Sequence, residues 1–300
     1  MLSSRDIQAR VEEFAWLQWG ALGAGGSDNW PRDVLIDPEI LVCTTAWATD
    51  ETSRVRATAT DWIRTNSNYL SWTRRKSIAA DLDDEGVNTL NLIWPRFSTS
   101  STERARRIAP KAIPLPDLRD RADLLSLRAR GMFGIGARAE ILRLMVLLPH
   151  REWPVARLAK RIGYAKRSVA EALSMLERAG LVARIAEGNA LRYRLARTSE
   201  LQELLRPLPE HSSGGPNWPA IMRIQLALRD IARCYEQLSQ SVAQVESATI
   251  RERIRGDLIG EWFAGATIER IAPNTGDVEW LEHWVGQLTN VALFRPSDRT

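Results

Sequence analysis

The apolar residues of the first 95 positions recur mainly with the spacing of α-helices. Ser3 or Ser4 can cap a first helix. The apolar face of this helix consists of Ile7, Val11, Phe14, Trp16 and Leu17. A second helix is predicted to begin near Asp37, because proline suits the first helical turn and acidic side chains stabilise the helix dipole there. Further helices are predicted over residues 53–65 and 69–80.

The pattern changes after residue 118, where the predicted helices become shorter. A polar-faced helix is predicted over residues 120–130. Residues 138–148 carry apolar side chains at positions i, i+3, i+4 and i+7, which is the spacing of an amphipathic helix. A shorter helix is predicted over residues 155–162, followed by a turn over residues 163–165.

A third helix and a hairpin are predicted to complete this central region. The third helix covers residues 166–179, and Gly180 follows where a left-handed residue commonly ends a helix. Two short strands, residues 181–186 and 190–195, flank a Gly-Asn turn. Alternating strands around such a turn predict a β-hairpin.

Composition divides the chain into three regions. Residues 95–117 hold four prolines and a Ser/Thr cluster, and residues 211–216 are rich in Ser, Gly and Pro, so both are predicted linkers. Long helices are predicted after the second linker, over residues 221–240, 242–263 and 278–288. The predicted organisation is a helical amino-terminal domain, a central domain and a helical carboxy-terminal region, over residues 1–117, 118–200 and 217–300.

Positive charge is concentrated in the central region, although the net charge of the chain is only +4. Residues 138–197 contain 13 Lys and Arg against 5 Asp and Glu. Residues 1–137 are balanced at 18 of each, and residues 198–300 contain 10 against 14. A basic block of this kind favours a polyanionic partner for the central region alone. An arginine-rich solvated surface without a partner is the alternative explanation.

The order of these central elements resembles a winged helix-turn-helix domain. Residues 158–182 read LAKRIGYAKRSVAEALSMLERAGLV. The pattern of Leu-Ala, a glycine-containing turn, Val, Leu, Leu and Ala-Gly-Leu-Val is similar to bacterial regulators of the ArsR and MarR type. The hairpin, or wing, ends in Tyr193 and Leu195 with the spacing of that family. The resemblance implies a mainly α-helical protein, in which helical terminal regions flank a central winged helix-turn-helix domain with a short β-hairpin wing.

The resemblance implies that the third helix enters the major groove of double-stranded DNA, while the wing contacts the backbone or minor groove. Lys166 and Arg167 can reach guanine or phosphate, Ala170 a thymine methyl group, and Glu171 can accept from cytosine N4. The candidate DNA-binding residues are Lys166, Arg167, Ser168, Ala170, Glu171 and Ser174 on the helix, and Arg184, Asn189, Arg192 and Arg194 in the wing. Ala165 departs from the family, since many relatives have a capping Ser or Thr there, worth about 1 kcal/mol.

No residue pattern indicates an enzyme, a metal site or a bound cofactor. Cys43 and Cys234 lie outside the central region and the three histidines are isolated, which argues against a zinc site. The glycine-rich residues 20–26 and 131–136 are not followed by Lys-Ser or Lys-Thr, so both are predicted turns. The acidic residues 81–85 are predicted to form a solvated loop rather than a cation site.

The expected location is the cytoplasm, without membrane association. No stretch approaches the roughly 18 uninterrupted apolar residues of a membrane span. The first residues lack an apolar run followed by a small-residue cleavage site, so secretion is not expected.

The expected function is sequence-specific binding of double-stranded DNA in the regulation of transcription, with any small-molecule effector left open. One alternative is a winged helix that docks an acidic protein within a larger assembly, since such domains also bind proteins. Another alternative is an enzyme or toxin-like activity in the amino-terminal helices.

A homodimer is expected, because two-fold dimers read two half-sites about one helical turn apart. The carboxy-terminal stripe predicted to form it consists of Ile221, Ile224, Leu228, Ile231, Leu238, Val242 and Val245. The alternative is that this stripe packs against the chain's own amino-terminal helices.

Overall fold

Side-chain caps define the helices of the amino-terminal part. The computed structural model describes residues 3–25, 28–95, 112–187, 190–209, 215–258 and 284–286. The first helices are α1 (Ser4–Ala21), α2 (Pro38–Ala48), α3 (Arg54–Asn66), α4 (Trp72–Ala79) and α5 (Asp84–Ile93), with a one-turn 3₁₀ helix, Ser67–Tyr69, before α4. Their starts are capped by the side chains of Ser3, Asp37, Ser53, Ser71 and Asp83. Each capping oxygen accepts from an N–H that has no partner within its helix.

The central region contains short helices and one small sheet. Its elements are a 3₁₀ helix (Ala122–Leu124), α6 (Leu125–Phe133), α7 (Ala137–Leu147), β1 (Trp153–Pro154), α8 (Val155–Ile162), α9 (Lys166–Arg178), β2 (Val182–Glu187), β3 (Ala190–Leu195) and α10 (Thr198–Leu204). The three helices and the hairpin predicted over residues 138–195 are confirmed. Gly163 and Gly180 adopt φ of +71° and +70°, and they end α8 and α9 in the left-handed conformation that glycine allows.

The sheet has one more strand than the sequence predicts. The short strand β1 pairs with β3, which gives the antiparallel order β1-β3-β2. Trp153 lies opposite Tyr193 in this pairing. A two-residue strand that contains proline carries no alternating pattern, so only its partner in space reveals it. The predicted Gly188-Asn189 turn lies outside the described residues.

The prediction of a polar-faced helix over residues 120–130 is wrong in both the bounds of the helix and the exposure of its side chains. The α-helix α6 begins at Leu125, continues into the predicted turn and ends at Phe133. Residues 125–130 are all buried, including Arg128 and Arg130. Arg128 is tolerated there because its guanidinium donates to the carbonyl oxygens of Leu118 and Leu205, at 2.8 and 2.7 Å.

The carboxy-terminal helices fold back onto the amino-terminal part. They are α11 (Trp218–Gln237) and α12 (Gln240–Leu258). The first half of the predicted stripe, Ile221, Ile224, Leu228 and Ile231, is buried in one core with α1, α2 and α3. Burial of an isoleucine or leucine side chain contributes about 1.5–3 kcal/mol, so this half of the stripe stabilises the chain itself. The prediction that it forms a dimer surface is therefore wrong.

The second half of the stripe is exposed, whereas the described part of the predicted last helix is buried. Leu238, Val242 and Val245 remain exposed at 42%, 46% and 65%. Of residues 278–288 the structure describes only 284–286, where Trp284 and Val285 are buried in the amino-terminal core.

The solvated loop predicted over residues 81–85 is only partly right, because Asp81, Asp84 and Glu85 are exposed but residues 84 and 85 begin α5. Asp83 caps α5, a helix that the sequence does not predict. Its carboxylate lies 2.9 Å from Arg229 and 3.5 Å from Arg233, and Asp81 lies 3.3 Å from Arg223. These arginines lie along α11, so the acidic stretch forms an ion-paired contact between the turn before α5 and α11. Within the described ranges no helix is long and apolar enough to cross a membrane.

A second core lies under the central elements. It contains the inward side chains of α7, α8, α9 and the sheet, together with Leu35 from the segment before α2. The amino-terminal core and this central core meet where α4 approaches the end of α8. Charged groups connect the two parts there.

A chain of buried ion pairs forms this connection. Arg74 of α4, whose side chain is 0% exposed, pairs with Asp37 and lies 2.7 Å from Glu39. Arg130 of α6 lies 2.7 Å from both Glu39 and Glu140. Burial alone would raise the pKa of Glu140, but the guanidinium groups of Arg130 and the neighbouring Arg143 outweigh it and hold the pKa well below its usual range.

The turn between α8 and α9 is hydrogen-bonded to the same part of α4. Arg74 Nε donates to the carbonyl oxygen of Ile162 at 2.7 Å, and the Tyr164 hydroxyl donates to Ser71 Oγ at 2.8 Å. A Cβ added to Gly163 would lie 3.4 Å from Ile78 Cγ1, so the turn and α4 are in close contact. The turn that precedes α9 is therefore held by the amino-terminal helices.

Replacement of Arg130 by Met should strongly destabilise the protein. Two carboxylates would lose a buried partner, and removal of one member of a buried pair typically costs about 3–5 kcal/mol. Arg119→Ala is the control, because its ion pair with Asp117 is exposed to solvent and such pairs contribute little to stability. Urea denaturation measures both, and equal losses would contradict this account.

Ionisation of the Tyr164 phenol should lower the free energy of unfolding at alkaline pH. Burial, and then the nearby Glu140 and Glu39, raise the pKa of Tyr164 to about 12, whereas a free phenol titrates near pH 10. The contribution of the protonated Tyr164 phenol to the free energy of unfolding is thus complete below about pH 10 and is lost as pH rises towards about 12. Tyr164→Phe should cost about 1 kcal/mol at neutral pH through the lost hydrogen bond.

The difference in urea midpoint between wild type and Tyr164→Phe should therefore shrink above about pH 10. A constant difference up to about pH 12 would show that the phenol ionises equally in the folded and unfolded chains.

Candidate nucleic-acid interface

The helix α9 presents one apolar face and one polar face. Val169, Leu173 and Leu176 are buried against α7 and α8, as their spacing predicts. The opposite face exposes Lys166, Arg167, Ala170 and Glu171, with Ser168 and Ser174 partly exposed. The six candidate residues of α9 therefore lie on its accessible side.

The first turn of α9 has an unusual concentration of positive charge. Its N-cap, Ala165, makes no side-chain hydrogen bond, and no acidic residue stands in the first turn. Lys166 and Arg167 occupy the first two helical positions. The positive end of the helix dipole adds to these two cations, so this arrangement disfavours an isolated helix and favours an external anion.

Arg167 and Glu171 form an ion pair across one helical turn. Arg167 Nε donates to Glu171 Oε1 at 2.9 Å. The Arg167 side chain is 90% exposed in spite of this pairing. The hydrogen bond uses one side of the guanidinium and leaves its two Nη groups directed to solvent.

The register of the hairpin separates its arginines onto two faces. Arg184 pairs with Tyr193, whereas Arg192 and Arg194 lie opposite Ile185 and Ala183. Directly opposed residues share a face. Tyr193 is buried under the sheet, so Arg184 lies on the inner face and the other two arginines lie on the outer face. The sequence groups all three as equivalent wing cations, and the structure does not.

Ion pairs distinguish these arginines further. Arg184 lies 3.2 Å from Glu177 at the end of α9, and Arg192 lies 3.7 Å from Glu152 before β1. Arg194 is exposed and forms no ion pair with any residue that the structure describes, and the same is true of Lys166. Glu177 and Glu152 are partners that the sequence analysis did not identify. Asn189 lies outside the described residues.

Two exposed apolar side chains accompany the charged ones. Met175 of α9 is 52% exposed and Leu191 of β3 is 42% exposed. Met175 follows Glu171 by four positions, so the helical period could have placed it on the polar face from the sequence. Among the described residues no group of His, Cys, Asp and Glu side chains could hold a metal ion.

The chemistry of this surface suits a polyanion. The helix α9 has an uncapped cationic start, and Arg194 on β3 has no ion pair among the described residues. Small side chains at Ala170 and Ser174 leave α9 open to close approach. The chain matches no family model, no curated protein and no solved structure.

Arg194→Ala should weaken binding to every DNA duplex by a similar factor. A phosphate contact carries no sequence information, and its loss should lower the salt slope of the binding constant by about one unit. Arg184→Ala is the matched control, because it removes the same charge from an arginine already paired with Glu177. Fluorescence titrations at several salt concentrations compare the two, and a larger effect of Arg184→Ala would contradict the assignment.

Proposed function

We propose that the protein is a sequence-specific double-stranded DNA-binding regulator of transcription. In this proposal α7, α8 and α9 with the sheet form a winged helix-turn-helix domain, α9 is the recognition helix, and the β2–β3 hairpin is the wing. The observation that carries the proposal is the exposed, uncapped and doubly cationic start of α9. A helix of this kind matches the donor requirements of phosphate oxygens and guanine edges.

The arrangement of elements supports the domain assignment. Three helices are followed by an antiparallel hairpin, and the connection between the second and third helices is only three residues long, Gly163 to Ala165. The left-handed Gly163 makes that sharp turn possible. Recognition helices read base edges with their first turns, and in α9 these turns carry Lys166 and Arg167.

The amino-terminal helices then act as the body that orients the recognition helix. Arg74 and Ser71 hold the turn before α9 through hydrogen bonds to Ile162 and Tyr164. A rigid orientation reduces the entropy that is lost when α9 binds a groove. Chromosomal DNA as the partner would place the protein in the cytoplasm.

The proposed assembly on DNA is a homodimer on an inverted repeat, because one recognition helix specifies only a few base pairs. The buried half of the carboxy-terminal stripe cannot supply its surface, since Ile221 to Ile231 pack inside the same chain. Leu238, which follows α11, and Val242 and Val245 on α12 are the part of that stripe still accessible in the described residues.

The double variant Lys166→Ala, Arg167→Ala tests the function. The wild-type protein first selects a preferred duplex from a random pool. For the double variant, the ratio of its affinities for this duplex and for a scrambled duplex should be roughly tenfold or more smaller than for the wild type, since each bidentate base contact contributes about 1–3 kcal/mol. The thermal midpoint should be nearly unchanged, because both side chains are exposed.

The matched control is Arg5→Ala, Arg10→Ala, which removes the same charge from the exposed face of α1. It should retain the preference for the selected duplex. Unchanged selectivity of the Lys166, Arg167 variant would show that α9 does not read DNA.

A second candidate function is the docking of an acidic protein partner. The exposed Met175 and Leu191 favour it, because apolar side chains beside arginines are common in protein interfaces. Failure of the wild-type protein to select any duplex from the random pool, at low salt, would favour this candidate over the first.

A further inference from the structure

We infer that Arg167 reads a guanine in the major groove and that Glu171 positions Arg167 for that contact instead of contacting a base itself. The inference rests on the proposed DNA-binding function and assigns different roles to two neighbouring side chains. The sequence analysis treats both as direct base contacts.

The geometry of the pair leaves one edge of the guanidinium available. An arginine side chain has five N–H donors, and Arg167 uses the one on Nε to bind Glu171 Oε1 at 2.9 Å. No other hydrogen bond of Arg167 occurs within the described residues. The two Nη groups therefore present parallel donors on a side chain that is 90% exposed.

Two parallel donors match guanine better than any other base. The major-groove edge of guanine carries two acceptors, O6 and N7. Adenine places a donor beside its N7, cytosine presents a donor, and thymine offers one acceptor and a methyl group. A guanidinium held at Nε thus discriminates by the number of hydrogen bonds that it can form.

Helix stability does not explain the pair. An exposed pair at i and i+4 contributes little to a helix, and the order with the acidic residue first is the favourable one. Here Arg167 comes first and stands at the positive end of the helix dipole, where a cation is disfavoured. The positions of these two residue types are more readily explained by a function on the exposed face.

The surroundings leave room for this contact. Ala170 lies one turn after Arg167 on the same exposed face, and its methyl group lets α9 approach the base edges closely. Lys166 precedes Arg167 and forms no ion pair among the described residues, so it remains available for a phosphate. Pairing with Glu171 also restricts the rotamers of Arg167 before binding, which reduces the cost of ordering it in the groove.

The experiment replaces single guanines in a selected duplex by 7-deazaguanine, which lacks the N7 acceptor. Dissociation constants are measured by fluorescence anisotropy for the wild type, Arg167→Ala, Glu171→Ala and Glu171→Gln. At one guanine per half-site the replacement should weaken wild-type binding by about tenfold, the size of one good base contact. The same replacement should have no effect on Arg167→Ala.

The two Glu171 variants separate positioning from charge. Both remove the same negative charge, so both should bind scrambled DNA at least as tightly as the wild type does. Glu171→Gln keeps an oxygen that can accept from Nε and should retain most of the sensitivity to 7-deazaguanine. Glu171→Ala should lose most of the sensitivity to 7-deazaguanine at that same guanine, and its thermal midpoint should be unchanged.

Two results would overturn the inference while leaving the proposed function intact. One is selective duplex binding in which no 7-deazaguanine effect depends on Arg167. The other is a Glu171→Ala variant that keeps the guanine effect, which would show that Glu171 does not position Arg167; loss of discrimination at a cytosine in that variant would make Glu171 a direct reader. Absence of duplex selectivity in the wild-type protein would instead refute the proposed function.

Discussion

The packing of the structure depends on one chain of alternating charges, which is buried between the amino-terminal helices and the central elements. Arg74, Glu39, Arg130 and Glu140 follow one another through contacts of 2.7 Å, and each is almost completely removed from water. A buried ion is tolerated only when its partners are present and well aligned. These charges therefore permit one arrangement of α2, α4, α6 and α7, since another packing would leave an ion without compensation.

The same cluster connects the interior to the proposed DNA-binding surface. Arg74 contacts the end of α8, and Ser71 contacts Tyr164 in the turn that starts α9. The interior charges neutralise one another, whereas Lys166 and Arg167 stand at an exposed helix start. The fold thus separates cations that hold the chain together from cations that remain available to a partner.

Local sequence predicted the elements whose physical causes are local. Caps such as Ser3 and Asp37 and apolar spacing identified α1 and α2. Helical apolar spacing identified α7, α8 and α9, and two short strands around a Gly-Asn turn identified the hairpin. The exposed side of α9 also followed from its period, because burial of Val169 and Leu173 leaves only one face for polar residues. These predictions depend on residues a few positions apart, whose relative placement the helix or strand geometry dictates.

Only the tertiary structure decided which partners distant residues find. Glu39 and Arg130 are 91 positions apart, and nothing in the pattern near either one predicts their pairing or the burial of α6. The stripe on α11 is apolar in sequence whether it meets α1 or a second copy, and the fold places it against α1. Likewise, strand register alone put Arg184 on a different face from Arg194. A sequence pattern determines which face of an element is apolar or charged, but the position of every other element determines what that face meets.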